Sequence, residues 1–130
     1  MSHAHDERAA AILSRKAKGL LALDEALAEL ADANCVAAMA ALISERVRLA
    51  HDVVARALDA QSDEAISVIC RAAGLRINSY SALLRMRRRH SRGTESAPAA
   101  ALMFFSDLSQ ASAQRFLQRL AAGDAGERSP

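Results

Sequence analysis

Ser62-Asp63-Glu64-Ala65-Ile66-Ser67-Val68-Ile69-Cys70-Arg71-Ala72-Ala73-Gly74-Leu75 is the stretch that decides the fold. It reads as one complete helix. Ser62 is a hydroxyl cap, and Asp63 and Glu64 bring negative charge to the positive end of the helix dipole. Ile66, Ile69, Cys70 and Ala73 recur at helical spacing and make one apolar stripe. Gly74 ends the helix, because glycine enters the left-handed region at no steric cost. A further helix opens at Asn78 or Ser79 and runs through a series of arginines to about Arg92. Start, stripe, stop and restart follow one another without any period-two alternation.

The same grammar extends outward in both directions. A first helix is predicted from near Asp6 to Gly19, lined by Ala9, Ile12, Leu13, Lys16 and Ala17. Leu20, Leu23, Leu27 and Leu30 place a second helix up to about Asp32. Asn34 suits the N-cap of a third, with Val36, Met39, Leu42 and Ile43 inward, and Ser44 to Leu49 reads as a connection. A fourth carries Val53, Val54, Ala57 and Leu58. Beyond the arginines, Pro98 suits a first turn and opens a helix to about Asp107. Ser109 caps the last helix, and Gly123 is expected to close it. The expected fold is therefore all-α, a compact bundle of about seven to eight short helices. Residues 1–122 form one domain, and 123–130 are expected to be a disordered tail. Capped helices follow one another at uneven intervals. Both a HEAT-like stack of antiparallel pairs and an irregular bundle produce that pattern.

Composition agrees with helices packed on helices. Of 130 residues, 31 are Ala and 36 are larger apolar side chains, with three Phe, one Tyr and no Trp. Alanine has the highest helix propensity and lets neighbouring helices approach closely. Cys35 and Cys70 have neither CxxC spacing nor a nearby His pair, so they read as two buried thiols of a reduced protein. The polar start of the chain does not resemble a secretory signal, and no apolar run approaches the ~20 residues a membrane span requires. A cytoplasmic location is the expectation.

Charge is uneven. The net is +2, yet residues 71–92 hold seven Arg and no Asp or Glu. The rest of the chain, with ten basic and fifteen acidic residues, stands at −5. Arg85, Arg88, Arg89 and Arg92 share one helical face, which is either solvated, paired with acids on a neighbouring helix, or a candidate contact for an anionic partner. Arg87 falls instead on the Tyr80–Leu83–Leu84 stripe. Either that stripe runs past the core edge, or Arg87 pairs with a buried carboxylate as a structural ion pair.

Three passages also resemble a known family. They are Arg15-Lys16-Ala17-Lys18-Gly19-Leu20-Leu21-Ala22-Leu23-Asp24-Glu25-Ala26-Leu27-Ala28-Glu29-Leu30, Cys70-Arg71-Ala72-Ala73-Gly74-Leu75, and Ala113-Gln114-Arg115-Phe116-Leu117. Together they resemble the later portion of the bacterial Domain of Unknown Function 2336 family, over most of residues 10–122. The resemblance implies a HEAT-like helical scaffold. It implies no chemistry, and no catalytic residue carries over.

Two segments are candidates for function. Ile69, Cys70, Ala73, Gly74, Leu75, Ser79, Ser81 and Leu84 match a DNA-binding helix-turn-helix pattern. In that reading Arg76, Asn78, Ser79 and Ala82 face the major groove, and the later arginines hold phosphates. The plain alternative is a packing corner, common to all helical proteins. The second segment is Leu102 to Phe105. Leu102, Phe105 and Leu108 form one stripe, while Met103 and Phe104 project to the other side, into either core or a partner. No catalytic residue, metal ligand or cofactor-binding residue is assigned. His3 and His5 form an HxH without a third ligand, and the five glycines make no phosphate loop. The expectation is a non-enzymatic scaffold or regulatory module that binds a protein partner or itself. It needs no cofactor, membrane or small-molecule substrate. The alternative is a small DNA-binding protein using residues 66–92.

Overall fold

The computed structural model describes residues 3–94 and 97–127, the side chains of 3–5 and 122–127 excepted. Eight helices follow in order: α1 His3–Ala17, α2 Leu23–Asp32, α3 Val36–Val47, α4 His51–Asp59, α5 Glu64–Ala72, α6 Ile77–Arg89, α7 Pro98–Asp107 and α8 Gln110–Glu127. No strand occurs among the described residues. The all-α bundle expected from periodicity is the one observed.

Pairing within the bundle is closest between α2 and α6, α5 and α8, and α3 and α4. α5 lies at the centre, with Ile66, Val68, Ile69 and Cys70 fully buried. Tyr80 of α6 and Phe105 of α7 stack beside it, ring centroids 4.2 Å apart and planes 10° from parallel. The Tyr80 hydroxyl is hydrogen-bonded to Ser67, whose own hydroxyl donates to the Asp63 carbonyl at 2.6 Å. Both cysteines are buried and neither is in a disulfide, as their spacing suggested.

Several boundaries differ from the sequence reading. Asn34 is not a cap of α3. It takes φ +59° just past α2, and its side chain accepts from Arg89. Ser44 to Val47 is not a connection but the last turn of α3, and the Ser44 hydroxyl donates to Leu49 O at 2.6 Å. Neither Asn78 nor Ser79 caps α6. Asp24 of α2 does so from another helix, accepting from the Arg76 amide at 2.8 Å and from the Ser79 hydroxyl. Gly123 does not stop α8, which continues to Glu127. Only residues 128–130 of the expected tail lie outside the described ones. Gly74 does take the predicted left-handed turn, at φ +77°. The Ser62 and Ser109 hydroxyls both accept amide protons of the helices they precede.

Helix C-termini leave carbonyl oxygens without intrahelical partners, and where such an end meets another helix water cannot supply the donors. Here side chains from neighbouring helices supply them. Arg89 donates to Ala31 O at the end of α2, and Arg87 to Ala57 O and Leu58 O at the end of α4. Arg46 and Gln114 serve Ala73 O and Ala72 O at the end of α5, and Arg71 serves Leu108 O after α7. A guanidinium suits this task, since it presents five donors on a long stem and complements the negative end of the dipole.

Candidate protein-interaction surface

The arginine segment comes apart into internal and external members. Arg87 is 1% exposed. Its Nε and Nη2 reach Asp63 Oδ1 at 3.2 and 2.9 Å, Nη2 also reaches Ser62 O at 3.0 Å, and Nη1 binds the two α4 carbonyls. The buried-carboxylate reading of Arg87 is therefore the observed one, and Asp63 is the carboxylate. Gly93 lies directly over it: a Cβ at Gly93 would sit 3.0 Å from the Asp63 carboxyl carbon.

Of the alternatives for the four-arginine face, engagement within the bundle is the one observed at three positions. Arg88 pairs with Asp63 Oδ2 at 3.2 Å, Arg89 holds Asn34 and Ala31, and Arg92 pairs with Asp59 at 3.0 Å. Arg85 is exposed, and its one side-chain hydrogen bond among the described residues goes to Ser81 on its own helix, at 3.3 Å. Reversing all four to Glu would therefore break structural bonds at three of them.

The helix-turn-helix geometry is also corrected in part. Arg76 and Asn78 are exposed. Ser79 and Ala82, assigned to the groove-facing side, are 4% and 2% exposed and face α2 and the core. A double helix reaching α6 would meet Arg76, Ile77, Asn78, Ser81 and Arg85, with Arg88 and Arg89 already engaged within the bundle.

α7 offers a different surface. Ala101 and Phe105 are buried and anchor the helix. Arg71 lies over the Phe105 ring, 5.6 Å from its centroid, so the ring is held from both sides. Pro98, Ala99, Ala100, Met103 and Phe104 are all exposed. Met103 is 65% and Phe104 39% exposed, large values for apolar side chains this size. Asp107 is the one charged residue of α7. Met103 and Phe104 are therefore not core residues. Phe104, Ala100 and Ala101 form one wall of an open cleft of about 210 Å³, with Ser62, Asp63, Glu64 and Ser67 opposite.

Burial shifts the titration of both cysteines and the tyrosine. It pushes the Cys70 thiol up to about 12, with Asp24 adding a little and Arg87 opposing. It also pushes Tyr80 up to about 12 against the opposing Ser67 hydrogen bond. Cys35 is raised as well, mainly by burial. A thiol so shifted is a poor nucleophile at neutral pH. No cluster of three or more metal-ligating side chains occurs among the described residues, and the His3 and His5 side chains fall outside them. No helix among the described residues is long and apolar enough to cross a membrane.

The role of Asp63 was missed at the sequence level, where it read as a first-turn charge. The available signal was Arg87 itself, since an arginine on an apolar stripe demands an acid. No protein-family model, curated protein or solved structure matches this chain.

Proposed function

We propose that this chain is a non-enzymatic helical scaffold that binds protein through the outer face of α7. One observation carries this reading: Met103 and Phe104 stand exposed side by side on a helix whose other exposed residues are Pro98, Ala99, Ala100, Ser106 and Asp107, with a single charge among them. Met and Phe are efficient anchors, because each removes much apolar area from water on docking. The scaffold reading also accords with the resemblance to the Domain of Unknown Function 2336 family, which would make the paired helices HEAT-like. The two buried thiols, neither in a disulfide, suit a cytoplasmic location.

The test is selection from a displayed random-peptide library on the whole protein. Binders are then re-tested on Phe104→Asp and Met103→Lys variants with unchanged circular dichroism. Loss of binding by tenfold or more is expected, which corresponds to about 1.4 kcal/mol. Binders that ignore both substitutions would remove α7 as the docking face.

A second reading, binding of a nucleic-acid backbone, is favoured by the exposure of Arg76, Asn78 and Arg85 along the outer side of α6. Under it, fluorescence anisotropy of labelled duplex DNA shows binding that weakens steeply with salt and is lost in Arg76→Glu/Arg85→Glu. Neither substitution removes an interhelical side-chain bond, so the fold is expected to persist. Absence of binding at low salt ends this reading.

A further inference from the structure

α1 is fastened lightly to the rest of the bundle, for among its described side chains Ile12 alone is buried. Ala9, Leu13 and Lys16 are half-buried, and the helix packs chiefly on α2. Arg15 Nη1 and Nη2 each reach a Glu29 oxygen at 3.0 Å, with 45% and 40% of the two side chains exposed. An exposed pair of this kind adds little and is weakened by salt. Between the two helices runs an open cleft of about 350 Å³, lined by Arg8, Ile12 and Arg15 of α1 and by Glu29, Asp32 and Ala33. The seam is therefore incompletely packed, and side chains beside a gap forfeit dispersion contacts on that side.

α2 is held by other means. Asp24 accepts from the Arg76 amide and the Ser79 hydroxyl, and Arg89 donates to Ala31 O, so both ends of α2 are fastened to α6. Glu25 closes the first turn of its own helix, accepting from the Ala22 amide at 2.9 Å. Leu27 and Leu30 are fully buried. Departure of α1 breaks none of these bonds. The connection between α1 and α2 is equally undemanding. Gly19 takes φ +78°, a Cβ there would meet nothing within 4 Å, and Lys18, Leu20 and Ala22 are exposed. Proteins open locally, in cooperative units, where few apolar groups are buried, and such opening costs less than global unfolding.

The two thiols stand in different places relative to this seam. Cys35, 5% exposed, precedes α3 and follows Ala33 of the cleft by two residues. Burial raises its titration, and the charges that act on it are Arg8 and Asp6, both of α1. Cys70 is fully buried in α5, which packs on α8, α7, α4 and α3.

We propose that α1 is a lid: it leaves α2 as a unit, turning about Gly19, while α2 to α8 stay folded, and its departure uncovers the α2–α3 corner that holds Cys35. The position of α1 then governs access to that corner, and the Cys35 thiol reports it. Cys70 reports unfolding of the centre of the bundle. No residue of α7 takes part, so the lid stands independently of the docking face proposed above.

Thiol reaction of the full chain with dithiodipyridine, a neutral disulfide reagent whose released thiopyridone absorbs, tests this. Each thiol's rate is compared with its own rate in urea. Two phases are expected, with Cys35 faster than Cys70 by roughly 100-fold or more, as local opening outruns global unfolding. Cys35→Ser is expected to remove the fast phase. Ile12→Ala is expected to speed Cys35 about tenfold or more, since it removes the one buried anchor of the lid. Arg15→Glu, an exposed substitution that leaves the core alone, is expected to speed it by a few-fold, and Arg15→Glu/Glu29→Arg to restore the wild-type rate. Leu117→Ala, in the α5–α8 contact, is expected to speed Cys70 and leave Cys35 unchanged, because it does not alter the balance between closed and open lid. A single common rate for both thiols overturns the proposal, as does equal acceleration of both by Leu117→Ala, for α1 would then leave only with the whole fold. A fast Cys35 that ignores both Ile12→Ala and Arg15→Glu overturns it too, for the thiol would then be reached without α1 moving.

Discussion

Arg87→Leu is expected to lower stability by about 3–5 kcal/mol, the cost of leaving a buried charge without its partner. Arg87 is buried, and its guanidinium bonds Asp63 and the carbonyls of Ala57, Leu58 and Ser62. Removing it leaves Asp63 with Arg88 and leaves three carbonyls without that donor. A domain of this size is stable by only about 5–15 kcal/mol, so the variant should sit near the edge of folding. A melting temperature lower by roughly 10–20 °C is the corresponding shift. Arg87→Lys keeps the charge but has three donors on a compact head, and it should recover part of the loss. The double variant Arg87→Leu/Asp63→Ala should also recover part, because it removes the stranded carboxylate but not the stranded carbonyls. Thermal melts followed by circular dichroism measure all three. A wild-type melting temperature for Arg87→Leu would show that the cluster does not hold α4, α5 and α6 together.

Alkaline pH is expected to unfold the protein cooperatively between about pH 9 and 12, the interval between the free and buried thiol. Burial raises the Cys70 thiol and the Tyr80 phenol to about 12 each. Both groups therefore hold their protons more tightly folded than unfolded. The stability this provides is complete below the unfolded values and is lost as pH climbs through the folded ones. One unit is worth about 1.4 kcal/mol, so together they account for up to roughly 6–7 kcal/mol, comparable to the whole stability. Tyr80 is the one tyrosine in the chain, so tyrosinate absorbance reports this site alone. Its rise should coincide with the loss of helical signal. Tyr80→Phe should cost about 1 kcal/mol at neutral pH through the lost Ser67 bond, yet shift the alkaline transition upward. Tyrosinate forming well before helix loss would mean that water already reaches the ring.

Local features of the chain carried much of this architecture. The Ser62 hydroxyl, the Ile66–Ile69–Cys70–Ala73 stripe and Gly74 act within a few residues of one another, so the α5 unit was legible, as was α7 with Pro98 at its first turn. Arg87 was legible too, because its place on an apolar stripe conflicted with its charge. Asp63 was not, since nothing local separates it from any other acid at a helix start. Whether Arg88, Arg89 and Arg92 pair within the chain was undecidable for the same reason: their partners are 25, 55 and 33 residues away. The capping of α6 escaped notice because Asp24 lies 52 residues from the amide it holds.

By itself the sequence determined the helices and their apolar faces. Those follow from backbone geometry and from side chains within one or two turns of each other. Only the tertiary structure decided which polar groups were already engaged and which apolar ones were left over. That sorting turned the arginine face into a set of helix-end donors. It also left Met103 and Phe104 outside the core, because burial and hydrogen-bond satisfaction depend on which helix lies alongside.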